Sequence, residues 1–273
     1  STVFPGVTDR LAARIAARGL AIDVAYCPER IAQGRALEEL AKLPQIVSGN
    51  TPAAVARSSR LFGALGSKII ELRPVEAELA KLFCNAWRYI NFAISNQFYV
   101  LSSNLGADFH AIHAAVTSEY PRLKGFAGAG LAAGPCLLKD TMQLAAFNHN
   151  SFVLGQAAMM VNEGLPSEMV KQLKKRHDLA SKRVAILGMA FKGNCDDERS
   201  SLSYKLRKLL TLECKEVICS DPYVQDPSLV PLDEALARAD LIVLGACHDA
   251  YRVAKIDKPV LDVFRFLEGV TPA

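Results

Sequence analysis

From Arg183 onward, short apolar runs alternate with amphipathic ones at a spacing that calls for parallel strands joined by crossover helices. Arg183–Leu187, Glu216–Cys219, Leu241–Leu244 and Val260–Val263 read as strands; Glu198–Leu210 and Leu232–Arg238 read as the helices between them. An α/β fold with a parallel C-terminal sheet follows. Gly188 closes the first of these strands, but Gly188-Met189-Ala190-Phe191-Lys192-Gly193 is not GxGxxG. As a dinucleotide fingerprint it fails, and as a backbone turn beside a phosphate it stays open.

The middle of the chain has a different period. Leu79, Leu82, Ala86, Ile90, Ala93, Ile94 and Leu101 recur at three-and-four spacing, which predicts one helix from Val75 to Asn104, on the order of 40 Å long. A helix of that length joins two domains or pairs with a second copy, and its apolar residues are too many for one buried face. Asp108–Glu119, Leu138–Met160 and Pro166–His177 read as further helices, with a glycine- and alanine-rich loop at 125–134 able to approach a ligand closely. Before Pro74 the pattern is mixed. Ser1–Gly6 reads as the end of a strand entering a loop, Val7–Arg18 as a helix, Ala21–Tyr26 as a strand, Pro44–Gly49 and Lys68–Glu71 as two more. Thr51-Pro52 opens a helix, the hydroxyl capping it and proline taking the first helical position.

Composition narrows the classes. With 273 residues, 51% hydrophobic and 22% charged, the chain can bury more than one core, and a net charge of +4 without a dense Lys/Arg run argues against nucleic acid. The most apolar stretch, 79–101, contains Lys81, Asn85, Arg88, Asn91 and Asn96, which argues against a membrane span. Seven cysteines show no CxxC pair and no metal-ligand spacing, so the expectation is free thiols, no bound metal and a reducing cytoplasm.

The chemistry concentrates in Gly134-Pro135-Cys136-Leu137-Leu138-Lys139-Asp140. Glycine and proline force a turn before an apolar-periodic run, which puts Cys136 at or just before a helix N-terminus. The exposed N–H groups and dipole there favour a thiolate. A cysteine that merely packs is the plainer reading; a nucleophile is the sharper one. Lys81 and Asn85, four apart, share a helix face and can address one ligand atom, or they can be a solvated polar pair. Glu29 follows a strand end, where α/β proteins place catalytic groups, or it is a surface glutamate.

Taken in order, Ser1-Thr2-Val3-Phe4-Pro5-Gly6, Cys27-Pro28-Glu29-Arg30-Ile31, Lys81 with Asn85, the Gly134–Asp140 stretch, and Phe191-Lys192 with Asp197 and Arg199-Ser200 resemble the nucleotide-sugar dehydrogenases. That family comprises UDP-glucose, UDP-N-acetylmannosamine and GDP-mannose dehydrogenases. The resemblance covers nearly the whole chain. It implies a C-terminal remnant of an NAD-binding Rossmann domain over 1–74, a helical dimerisation domain over 75–178 and a Rossmann-like UDP-binding domain over 179–273. It implies an NAD-dependent, two-step oxidation of a UDP-sugar C6 alcohol to a carboxylate. Cys136 would hold the aldehyde as a thiohemiacetal and then a thioester, Lys81 and Asn85 would steady the oxyanion and move protons, and Asp140 and Thr2 would orient water. Glu29 would be the base for hydrolysis. Gly130, Phe191 and Lys192 would line the UDP-sugar site, with Arg122 contributing to the substrate of the same or a neighbouring subunit. Thr2, Gln33 and Arg199 would reach toward NAD, and the long helix would form a homodimer.

There are departures from the family pattern. Gln33 stands where the UDP-glucose enzymes carry a second glutamate, Arg30-Ile31 looks more like the N-acetylhexosamine enzymes, and Ala132-Ala133 replaces part of the glycine loop. The GxGYxG fingerprint is absent from this sequence and is expected roughly a hundred residues ahead of Ser1. The chain is therefore expected to bind a UDP-sugar, as an N-acetylhexosamine derivative, without oxidising it alone. The competing readings are a non-catalytic UDP-sugar-binding remnant and, from Cys136 alone, a thiol hydrolase. No histidine is evidently placed as base for the last.

Overall fold

The computed structural model describes all 273 residues as two units, residues 1–88 with 139–153, and residues 89–138 with 154–273. The first unit holds a three-stranded sheet of β1 (Ala25–Tyr26), β2 (Gln45–Gly49) and β3 (Ile69–Glu71), in that order. β1 runs antiparallel and β3 parallel to β2. Around it lie α1 (Val7–Ala16), α2 (Ala36–Lys42) and α3 (Pro52–Gly63). Thr51 caps α3 by accepting the Ala54 N–H at 3.0 Å, as its sequence predicts.

α4 (Pro74–Asn104) is the long helix, and α5 (Phe109–Thr117) follows it, capped by Asp108. α6 (Leu137–Phe147) starts one residue after Cys136. The second unit adds α7 (Val153–Arg176) and a four-stranded sheet of β4 (Arg183–Leu187), β5 (Glu216–Ser220), β6 (Leu241–Leu244) and β7 (Val260–Leu261). The order is β5-β4-β6-β7 and every pairing is parallel, with α8 (Leu202–Thr211) and α9 (Leu232–Arg238) as crossovers. Val184, Ile186, Val243, Leu206 and Leu210 are sealed in one core on this sheet, Ala185, Leu187, Ile242 and Leu244 in another. Both faces are covered, which is why these strands read as continuous apolar runs rather than alternating ones. Each fully buried leucine or isoleucine contributes about 1.5–3 kcal/mol.

Several expectations need correcting. Ser1–Phe4 forms no strand, the Ala21–Tyr26 strand shrinks to its last two residues, and α8 begins at Leu202, after its Ser201 cap, rather than at Glu198. The helical stretch expected to break at Pro166 breaks instead between Phe147 and Val153. His149 and Asn150 take φ of 51° and 59° there, and Pro166 stays inside α7. Asparagine tolerates the left-handed region better than most residues, whereas one proline forfeits a single helical bond. α2 has no buried residue and so shows no apolar period in the sequence; strong helix formers and the Arg35–Glu38 and Lys42–Glu38 pairs support it.

Candidate functional site

In the first unit, α4 carries three of the functional side chains, Glu78, Lys81 and Asn85. Lys81 is nearly buried, and its ammonium pairs with Glu29, which follows β1, at 3.2 Å. Four residues on, Asn85 donates its amide N–H to Asp140 Oδ2 at 2.5 Å. Asp140 is wholly buried; its Oδ1 lies 2.9 Å from the Lys139 ammonium, a charge contact without an aligned hydrogen bond. A carboxylate that deeply buried persists only with partners of this kind. One turn before Lys81, Glu78 accepts the N–H groups of Gly6 (2.5 Å) and Thr8 (2.8 Å) and the Thr8 hydroxyl (2.6 Å), which fastens α1 and the segment carrying Thr2. Tyr26 holds the same segment by donating to the Ser1 carbonyl at 2.8 Å. Burial first, then the nearby Glu78, Asp140 and Glu29 carboxylates, push the Tyr26 phenol up to about 12, so it stays a donor.

In the second unit the 125–134 loop is laced to α4. Asn91 donates to the Gly125 carbonyl at 2.5 Å, and Ser95 donates to the Ala127 carbonyl at 2.6 Å. Asn96 brackets Gly130, donating to its carbonyl at 3.0 Å and accepting its N–H at 2.9 Å. Asn162 of α7 completes the network, accepting from Asn96 at 2.9 Å and donating to the Tyr89 carbonyl. At the end of the loop Gly134 has φ +103, and a Cβ there would come within 2.6 Å of the Phe191 ring. Only glycine lets the turn before Cys136 lie against Phe191. The loop backbone is therefore fixed before any ligand arrives.

Cys136 sits exposed in that turn. Arg199 lies within electrostatic reach of it, and the Arg199 guanidinium also pairs with Asp197 at 2.7 Å. The Lys139 ammonium is taken up by Asp140. All seven thiols are free; burial pushes Cys27 up, Cys214 and Cys219 to about 11 and Cys247 to about 12. Limited iodoacetamide labelling of the native chain followed by mass spectrometry should therefore find Cys136 first. Earlier labelling of Cys214 or Cys247 would remove the basis for a reactive Cys136.

The turn after β4 was open as a phosphate cradle, and the structure closes two of its amides. Met189 and Ala190 donate their N–H groups to the buried carboxylate of Asp221, at 2.6 and 3.0 Å. An internal anion thus occupies the place a pyrophosphate would take, and this turn does not fit a dinucleotide. Among the remaining expected residues, Thr2 is half-buried, Gln33 exposed, and Arg122 exposed over the Tyr120 ring. No group of three or more His, Cys, Asp or Glu side chains is placed to hold a metal ion, and no helix is long and apolar enough to cross a membrane.

Sequence reading missed Glu78, Tyr26, Asn91, Ser95, Asn96, Asn162, Asp221 and His248. Asn91, Ser95 and Asn96, at i, i+4 and i+5 on an otherwise apolar helix, carried the one signal that could have found them.

Comparison with known proteins finds matches along most of the chain. Residues 75–164 match the UDP-glucose/GDP-mannose dehydrogenase family, central domain, and residues 185–268 match its UDP binding domain. The chain is 31% identical to the UDP-N-acetyl-D-mannosamine dehydrogenase of Methanocaldococcus jannaschii, over 92% of this chain and 59% of that protein. It is 30% identical to the Pyrococcus horikoshii enzyme of the same name, over 92% and 62%. It thus spans about 60% of the length of these relatives. In structure it is similar to the UDP-D-ManNAc dehydrogenase of Pyrococcus horikoshii, with a TM-score of 0.88, 26% identity, and coverage of 99% of this chain and 69% of that one. It is also similar to a UDP-glucose dehydrogenase of Pyrobaculum islandicum, with a TM-score of 0.89, 26% identity, and coverage of 100% and 69%. With two domains of one family matched in succession along 75–164 and 185–268, the chain belongs to the UDP-glucose/GDP-mannose dehydrogenase family.

Proposed function

We propose that this chain is the sugar-nucleotide-binding and thiol-bearing portion of a UDP-N-acetylhexosamine 6-dehydrogenase, with the second unit holding the nucleotide sugar. The observation that carries the reading is the 125–134 loop, laced by Asn91, Ser95, Asn96 and Asn162 and abutting Phe191 at Gly134. Such prior fixing of backbone lowers the ordering cost of binding. Gly130, Phe191 and Lys192 are assigned to the nucleotide sugar, the Lys192 ammonium serving the diphosphate as a point charge.

For the chemistry, the Cys136 thiolate adds to the C6 aldehyde. The resulting alkoxide takes a proton, giving a thiohemiacetal. Loss of a hydride from C6, to an acceptor such as NAD would supply, together with loss of the hydroxyl proton, would leave a thioester; water then adds to it, the C–S bond breaks with the proton going to sulfur, and the acid released gives up its proton as the carboxylate. On the resemblance alone, Lys81, Asn85, Asp140 and Glu29 are assigned to charge stabilisation and proton handling, and Thr2 and Asp140 to orienting water. In dehydrogenases of this kind NAD supplies the hydride acceptor. Since the turn after β4 does not fit it, no step here is derived through the dinucleotide; Thr2, Gln33 and Arg199 stay assigned to its neighbourhood on the resemblance alone. Titration of the purified chain with UDP and with UDP-N-acetylhexosamines tests the binding assignment.

We further assign α4 to self-association. Phe83, Trp87, Phe98 and Leu101 are 54%, 64%, 49% and 51% exposed, and with Ile94 they recur at helical spacing along one stripe. A stripe of that size is costly to leave in water. Light scattering should report a dimer for the chain and a monomer for a Trp87→Glu, Phe98→Glu double variant. A monomer near 29.6 kDa for the unaltered chain rejects the assignment.

A further inference from the structure

The segment from Met189 to Asn194 carries Phe191 and Lys192, and it is tied down at both ends by one buried pair. At its start, Met189 and Ala190 give their N–H groups to Asp221 Oδ2, while Oδ1 accepts those of Tyr223 at 2.8 Å and Val224 at 3.0 Å. At its end, Asn194 gives its N–H to His248 Nδ1 at 2.9 Å. His248 Nε2 lies 3.0 Å from Asp221 Oδ2, and both side chains are completely buried. Because Nδ1 accepts, the ring is neutral with its proton on Nε2, and that proton is donated to Asp221. Imidazole accepts at one nitrogen and donates at the other, so it can join a carboxylate to a backbone amide 54 residues away in sequence.

Backbone packing around the pair is equally close. A Cβ on Gly193 would overlap the Cys247 carbonyl, so the segment lies directly on the chain leading into His248. The Asn194 side chain adds a reciprocal pair with Asp249, donating at 2.6 Å and accepting the Asp249 N–H at 2.9 Å. Every polar atom of the pair is used internally.

We propose that Asp221 and His248 are positioning residues for UDP-sugar binding, holding both ends of the segment that presents Phe191 and Lys192. This rests on the assignment of those two residues to the nucleotide sugar.

Two variants separate positioning from plain stability. In His248→Gln the side-chain amide can still donate to Asp221, but no acceptor remains for Asn194. In His248→Asn the carbonyl oxygen falls near the former Nδ1 and keeps Asn194, while the link to Asp221 is lost. Each loses one buried hydrogen bond, so their melting temperatures should fall by similar amounts. UDP affinity should not follow: the Kd is expected to rise about tenfold in His248→Gln and to stay within about threefold in His248→Asn. Hydrogen exchange of the Asn194 amide should speed up at least tenfold in the first variant only. Equal Kd changes in both variants, or an unchanged Asn194 amide in His248→Gln, would overturn the proposal. Failure of the unaltered chain to bind UDP would defeat the nucleotide-sugar assignment itself, and the exchange comparison would still accept or reject the tether.

Discussion

Replacing Asp221 with Ala is expected to destabilise the second unit by about 4 kcal/mol, enough to lower its melting temperature by roughly 10 °C. Five donors converge on this carboxylate, four backbone N–H groups and the His248 ring, all in a site closed to water. Removing it strands them at roughly 1–3 kcal/mol each before relaxation. Asp221→Asn should do little better, because one oxygen becomes an NH₂ aimed at donors. Burial alone would raise the Asp221 carboxyl; His248 and the backbone N–H groups of Val224, Tyr223 and Ala190 outweigh it and hold it well below the usual carboxylate range. With the folded value depressed, the stabilisation is present above about pH 4, the unfolded range, and is lost as pH falls further. Urea denaturation across pH 2–7 should show that loss in the unaltered chain and a shallower slope below pH 4 in Asp221→Ala. A variant within 1 kcal/mol of the unaltered chain would mean that these amides are not dependent on Asp221.

The second large effect is expected in the other unit. Glu78→Ala removes the acceptor of two N–H groups and one hydroxyl at the start of α1, in a fully buried position. A loss of about 3 kcal/mol is expected, confined to the first unit. Hydrogen exchange should show Val7–Ala16 and the preceding residues losing protection while β4–β7 keep theirs. Glu78→Gln keeps one acceptor oxygen but turns an amide N–H₂ toward a donor, so it should fall between the two. Unchanged protection of α1 in Glu78→Ala would show that Tyr26 and local packing suffice to hold the segment bearing Thr2.

How much of this was legible depended on sequence distance. The bounds of β4, α9 and β6 were read to the residue because each is a short, clean apolar pattern between breakers, and the Thr51 cap is a local signal. The reactive-type residues were legible for the same reason: Cys136 in its Gly-Pro turn, Lys81 and Asn85 one helical turn apart. Their supports were not. Glu78 meets Thr8 across 70 residues, Asn96 meets Asn162 across 66 and Gly130 across 34, and His248 meets Asp221 across 27. No period or spacing encodes such a pairing; a buried acid and a surface one look alike until the fold closes around them. The helix break went wrong for a related reason. Proline is the louder local signal, but an Asn-rich stretch that can adopt left-handed backbone ends α6 more effectively than Pro166 interrupts α7.

The central claim is that the second unit holds a uridine diphosphate sugar through the loop at 125–134 and the Phe191–Lys192 segment. Isothermal calorimetry of the purified chain against UDP and UDP-N-acetylhexosamine tests it directly, with Lys192→Ala run in parallel. Saturable binding with one site per chain is predicted, weakened tenfold or more by Lys192→Ala, as loss of a charge-assisted contact to a diphosphate requires. No heat of binding up to millimolar ligand, or an affinity indifferent to Lys192, would contradict it.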